Sequence, residues 1–194
     1  AITAAEVVGG SPAHVTPEMR QRAKAINFGI IYGMGAFRLA GQLGVGMAMA
    51  KQYLEDYYRT YAGVRTFMEQ LPEKATELGF VTTILGRKRF LPDLKNPNRI
   101  AQQAARRMAI NTTIQGSAAD LMKLAMIRVH QELKKQKLPA RMILQVHDEL
   151  ILEVHDDAAK DAAALLKKEM EGVYDLSVPL VVDVASGKNW DEAH

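Results

Sequence analysis

Two strongly apolar runs, residues 140–146 and 150–154, are separated only by His147-Asp148-Glu149. So short a link lets two strands pair only antiparallel, because a parallel crossover needs a dozen residues or more. The chain ahead of them is punctuated into helices. Thr16-Pro17 supplies an N-cap hydroxyl followed by proline at the first helical position. The spacing predicts a helix from Glu18 to about Tyr32, stopped by Gly33-Met34-Gly35. Helices are expected over about Met47–Tyr61 and Val64–Leu78, and a β-hairpin around Gly86 within 80–91. A helix from about Arg99 to Ile114 is expected to break at Gly116, with Ser117 and Asp120 restarting it as far as Lys135. Asp157–Gly172 reads as an amphipathic helix capped by Asp156-Asp157, and 180–184 as a last strand. Helices first and antiparallel strands later make the fold class α+β.

The 194 residues are 48% hydrophobic and 24% charged, enough apolar surface for a sizeable core and too much for a disordered tail. With no cysteine, disulfides, thiolate metal sites and thiol nucleophiles are excluded together. No apolar run approaches the ~18 residues of a membrane span, and the N-terminus lacks a signal-peptide layout, so a soluble protein without a membrane partner is expected. Residues 1–8 read as the middle of a helix with no initiator Met, and the chain is expected to be part of a longer one. Charge is uneven: residues 1–110 hold fifteen Lys and Arg against eight Asp and Glu (+7), and residues 111–194 ten against fourteen (−4). A basic half suits a polyanion and an acidic half suits metal ions, although uneven charge also marks ordinary solvated surface.

Arg20, Lys24, Phe28 and Tyr32 recur every four residues. On a helix they form one slowly winding stripe about 18 Å long, running from two cations to two aromatic rings. A nucleoside triphosphate matches that gradient, phosphates at Arg20 and Lys24 and sugar or base at Phe28. The cations also lie towards the positive N-terminal end of the helix. The alternative is an amphipathic helix whose Ile26 and Ile30 face a core while its charges face water. Gln103, Arg107, Asn111 and Gln115 make a second four-residue series. Amide and guanidinium donors suit the minor-groove acceptors present at every base pair, so they sense pair geometry rather than base identity, although such residues also make ordinary polar faces. Arg87-Lys88-Arg89 at the hairpin suits phosphates or plain exposure. Between the two apolar runs, Asp148 at a hairpin tip with Glu149 beside it suits magnesium in phosphoryl transfer, or a solvated turn.

Taken together, these segments resemble the bacterial family A DNA polymerases over essentially the whole chain. Arg20-x3-Lys24-x2-Asn27-Phe28-Gly29-x2-Tyr32-Gly33 is similar to the family's fingers motif, and Gln145-Val-His-Asp-Glu149 to its palm carboxylate motif. Arg107-x3-Asn111-x3-Gln115-Gly116 resembles the palm helix that follows the minor groove, and Gly187-x-Asn189-Trp190 the usual C-terminal end. The order and spacing of the four segments carry the resemblance.

The resemblance implies a fingers subdomain over 1–98, with a nucleotide-binding helix at 17–33 and the basic hairpin at 80–91, and the C-terminal part of a palm over 99–194. It implies that Arg20 and Lys24 bind the incoming dNTP, that Phe28 packs on its sugar and base, and that Tyr32 holds the templating position. Arg107, Asn111, Gln115 and His147 would meet primer-template DNA. Asp148 would be a metal ligand with Glu149 a nearby carboxylate, and Lys24 joins these two as catalytic. Phe28 rather than Tyr implies discrimination against dideoxynucleotides. The implied reaction is nucleotidyl transfer from dNTP to a primer 3′-hydroxyl with two Mg2+ ions, in the bacterial cytoplasm, by a monomer. The family's first catalytic Asp segment and its thumb are expected outside this chain, which alone would be inactive. Rival expectations are a non-catalytic nucleic-acid- or nucleotide-binding module and a metal-dependent phosphohydrolase using His147-Asp148.

Overall fold

A computed structural model of the chain describes residues 16–193, so the helical reading of 1–8 lies outside the described residues. The fold class is α+β. The chain forms two compact units, with the boundary after Ile114.

In the first unit, α1 (Pro17–Ile31), α2 (Ala36–Leu43), α3 (Met47–Thr60) and α4 (Ala62–Leu78) precede a hairpin of β1 (Phe80–Thr82) and β2 (Lys88–Phe90). A 3-10 turn at Pro92–Lys95 and the start of α5 (Arg99–Lys135) complete it. Thr16 caps α1, its hydroxyl accepting the Met19 N–H at 3.2 Å. The other end is a Schellman motif. Met34 N–H donates to Gly29 O (2.7 Å) and Gly33 N–H to Ile30 O (2.8 Å), with Gly33 left-handed at φ +71°. Ile26 and Ile30 of α1 are enclosed with Leu39, Ala50 and Tyr57, and burying each such large side chain is worth about 1.5–3 kcal/mol. A second cluster joins Ala75, Val81, Leu91 and Leu94 to Ala105 and Ala109 of α5. Helix α2 has no counterpart among the expected elements. Eight residues between Gly35 and Gly44 are too few to announce a helix, and Leu39 entering the core is what holds it.

The second unit holds the rest of α5, then β3 (Ala140–Val146), β4 (Glu149–Val154), a 3-10 turn at Asp156–Ala158, α6 (Ala159–Glu171) and a short α7 (Trp190–Ala193). Val129 and Leu133 of α5 pack with Leu150 of β4 and Leu165 of α6. Strands β3 and β4 pair antiparallel, Ala140 opposite Val154 and Val146 opposite Glu149, with an irregularity between Met142 and Leu144.

Three expectations are corrected. Helix α5 runs unbroken from Arg99 to Lys135 through Gly116. A mid-helix glycine costs about 1 kcal/mol, less than is gained by burying Ala109 before it and Ala125 and Val129 after it. Asp120 is therefore a buried mid-helix residue and not part of a new cap. Residues 180–184 are not a strand. They pair with neither of the two hairpins among the described residues, and Val182 N–H donates instead to the Glu171 carboxylate at 3.0 Å. Asp156-Asp157 does not cap α6, whose N-cap residue is Ala158; the Asp156 carboxylate accepts from Lys188 Nζ at 2.8 Å. No helix among the described residues is long and apolar enough to cross a membrane.

Replacing Thr16 by Ala leaves the Met19 N–H without its cap and is expected to cost about 1 kcal/mol, read from urea unfolding. The Lys188 ammonium, by hydrogen bond and charge, holds the Asp156 carboxyl below its ordinary value. A depressed carboxyl stabilises the fold above its unfolded pKa of about 3.9, and that contribution disappears as pH falls through the lower folded value. Wild type should therefore lose stability more steeply than Lys188→Met between about pH 5 and pH 2, and the difference should shrink in about 1 M salt because both groups are exposed. Parallel slopes would remove the pair from the acid response.

Candidate functional site

Because α1 spends Ala23, Ile26 and Ile30 on the core, its opposite face is turned outward. Arg20 and Lys24 are exposed there, and Phe28 and Tyr32 remain 48% and 44% exposed. The rings of Phe28 and Tyr32 stack with centroids 6.4 Å apart and planes at 23°, and Lys24 Nζ lies 6.0 Å from the Phe28 ring centre. The stripe is thus a continuous outward surface of cation, cation, ring and ring. Both readings of this helix meet in it: the isoleucines do face a core, and the charges and rings face the other way.

The second series lies on α5. Gln103, Arg107 and Gln115 are exposed, and Asn111 is half-buried. The Asn111 side-chain oxygen is shut away from water without a hydrogen-bond donor. A buried acceptor left unpaired is costly, so Asn111 gains if its amide turns to a donor outside the fold. The hairpin braces this stretch of helix. Arg89 Nη1 donates to Thr112 Oγ1 and Nη2 to Met108 Sδ, each at 3.0 Å. Lys88 Nζ sits 4.7 Å from the Phe80 ring centre, and Phe80 meets Phe90 edge-on at 5.8 Å. Lys88 and Arg89 are therefore engaged within the fold.

In the second unit the turn between β3 and β4 is only His147-Asp148, since Glu149 already pairs with Val146 as the first residue of β4. His147 adopts φ +51°, left-handed backbone that costs a non-glycine residue about 1–2 kcal/mol. Gln145 Nε2 donates to the His147 carbonyl at 2.6 Å and holds the turn in that form. His147 and Asp148 are exposed at the tip, and Glu149 is half-buried. Two neighbouring carboxylates are hard oxygen donors of the kind magnesium takes. The set is partial, because no group of three His, Asp or Glu suited to a metal ion forms among the described residues.

One surface carries no sequence signal in advance: an open groove of about 840 Å³ along α2 and the start of α3, lined by Phe37, Arg38, Gly41 and Met47 among others. Only the packing of α2 creates it.

The family model for DNA polymerase family A matches residues 1–192. The chain is 48% identical to DNA polymerase I of Pseudomonas aeruginosa over 192 residues, which is 99% of this chain and 21% of that protein. It is 48% identical to the thermostable DNA polymerase I of Thermus thermophilus over 188 residues, 97% of this chain and 22% of that one. The chain thus spans about a fifth of the length of the curated relatives it matches. Among solved structures, the polymerase domain of Pol1 from M. smegmatis, in complex with DNA primer-template and dNTP, superposes with a TM-score of 0.95 at 41% identity, covering 98% of this chain and 34% of that one.

The two faces of α1 should separate experimentally. Ile26→Ala should cost about 2–5 kcal/mol of stability, whereas Lys24→Ala should stay within about 0.5 kcal/mol of wild type. Chemical unfolding measures both, and a large loss at Lys24 would make the stripe structural.

Proposed function

The chain belongs to DNA polymerase family A, and on that premise we propose that it forms part of an enzyme that extends a DNA primer against a template. The observation that carries this reading is the outward stripe on α1, Arg20 and Lys24 leading to the stacked Phe28 and Tyr32. Cations able to hold a triphosphate stand one and two helical turns before a ring able to lie against sugar and base. The solved relative bound to primer-template and dNTP supports the same assignment by analogy.

In this reading residues 1–98 are fingers and 99–194 the C-terminal part of the palm. Arg20 and Lys24 bind and orient the triphosphate, Lys24 also neutralising charge that builds on the phosphates during transfer. Phe28 packs on the nucleotide and Tyr32 occupies the templating position. Arg107, Asn111 and Gln115 follow the minor groove, and His147 stands near the primer end. The primer 3′-hydroxyl attacks the α-phosphate and pyrophosphate leaves. Asp148, with Glu149 a nearby carboxylate, would hold magnesium, which when bound supplies charge stabilisation to the phosphoryl group. Because the described residues gather no third ligand, a complete two-metal site needs a carboxylate beyond this cluster. That same observation favours a second reading, in which the 194-residue chain by itself binds nucleic acid without catalysing.

Incubating the isolated chain with primer-template, dNTPs and magnesium distinguishes the two, extension supporting a self-sufficient enzyme and binding alone the module. In a full-length polymerase carrying this segment, Asp148→Ala should abolish primer extension while primer-template affinity survives; retained extension would remove Asp148 as a ligand. Lys24→Ala should raise the KM for dNTP, and an unchanged response to nucleotide concentration would count against its role.

A further inference from the structure

Gly33 ends the nucleotide stripe, and it has a second contact that the stripe does not explain. Its left-handed φ of +71° closes the Schellman cap of α1. A Cβ built on Gly33 would lie 2.9 Å from Cγ and 3.2 Å from Cδ of Arg107 on α5. The room a side chain would take is filled by the Arg107 stem. Cγ stands next to the backbone end of that side chain, so it can yield only through a change of χ1, which carries Cδ and the guanidinium with it. Staggered wells are about 120° apart, and such a jump carries the guanidinium several ångströms from its original reach. Nor can this stretch of α5 easily back away, because Arg89 ties Met108 and Thr112 to the hairpin.

Resting on the reading that Arg107 meets the duplex, we propose that Gly33 is a positioning residue for Arg107: the bare cap of the nucleotide helix is the bed that aims its guanidinium. The end of α1 and the aim of Arg107 then hold each other in place, so a residue with no functional group of its own sets how primer-template DNA is gripped.

The test compares Gly33→Ala, Arg107→Ala and the double variant in a full-length polymerase carrying this segment, with primer-template affinity read by fluorescence anisotropy. Gly33→Asn is run alongside, since Asn tolerates left-handed backbone while still adding the Cβ. Strain at φ lowers the melting temperature with or without Arg107, whereas the collision with the stem exists only when Arg107 is present. The expected result is that Gly33→Ala and Gly33→Asn each weaken primer-template binding about tenfold with Arg107 in place and cause no further loss in the Arg107→Ala background. Equal losses in both backgrounds, or no loss from either Gly33 variant, would overturn the positioning role while leaving Arg107 as a DNA contact. Unchanged affinity on Arg107→Ala alone would instead overturn the duplex reading, and the proposal with it.

Discussion

Ile26 and Ile30 are enclosed by Leu39, Ala50 and Tyr57, and a helix can bury one face only by presenting the other. That burial fixes how α1 is rotated about its own axis. It turns Arg20, Lys24, Phe28 and Tyr32 outward together, and it brings the Schellman cap at Gly33 against Arg107. Loosening the two isoleucines would let the stripe wander in rotation and lift the cap from α5, so a core contact between apolar side chains underlies the placement of the polar ones.

The second unit solves a similar problem with a turn instead of a helix face. Strands β3 and β4 carry apolar side chains such as Leu150 into a cluster with α5 and α6, and the hairpin tip is the place where a carboxylate escapes that apolar surrounding. Asp148 is exposed there because a two-residue turn puts it beyond the last paired residues, Val146 and Glu149. The turn requires left-handed backbone at His147, and the hydrogen bond from Gln145 to the His147 carbonyl helps to offset that cost. Gln145 thereby belongs to the local architecture of the carboxylate even though it points no ligand of its own.

Much of this was legible in the residues. The four-residue recurrences, Thr16-Pro17 ahead of α1, Gly33 after it and the apolar runs around His147-Asp148 all act within a turn or two of the chain, where propensity and periodicity operate. What escaped such reading depended on distant partners. Helix α2 forms because Leu39 finds Ile26 and Tyr57. Helix α5 ignores Gly116 because apolar residues on both sides of it are buried. Residues 180–184 have strand composition and no strand: they join no ladder, and Val182 N–H goes to the Glu171 side chain, because β composition makes a strand only where a partner strand pairs with it.

The amino-acid sequence by itself determined the start and stop of α1, the two polar stripes and the adjacency of Asp148 and Glu149, and with them the family to which the chain belongs. Only the tertiary structure decided that Arg107 lies with its stem under Gly33, that Arg89 is tied to α5, that Asn111 keeps an unpaired buried oxygen, and that Glu149 begins a strand rather than sharing the turn. The division has one physical cause. Caps, turns and periodic faces are chosen by energies of about 1 kcal/mol exerted over a few residues, whereas the contacts among α1, α5 and the hairpin arise only where packing brings residues tens of positions apart into touch.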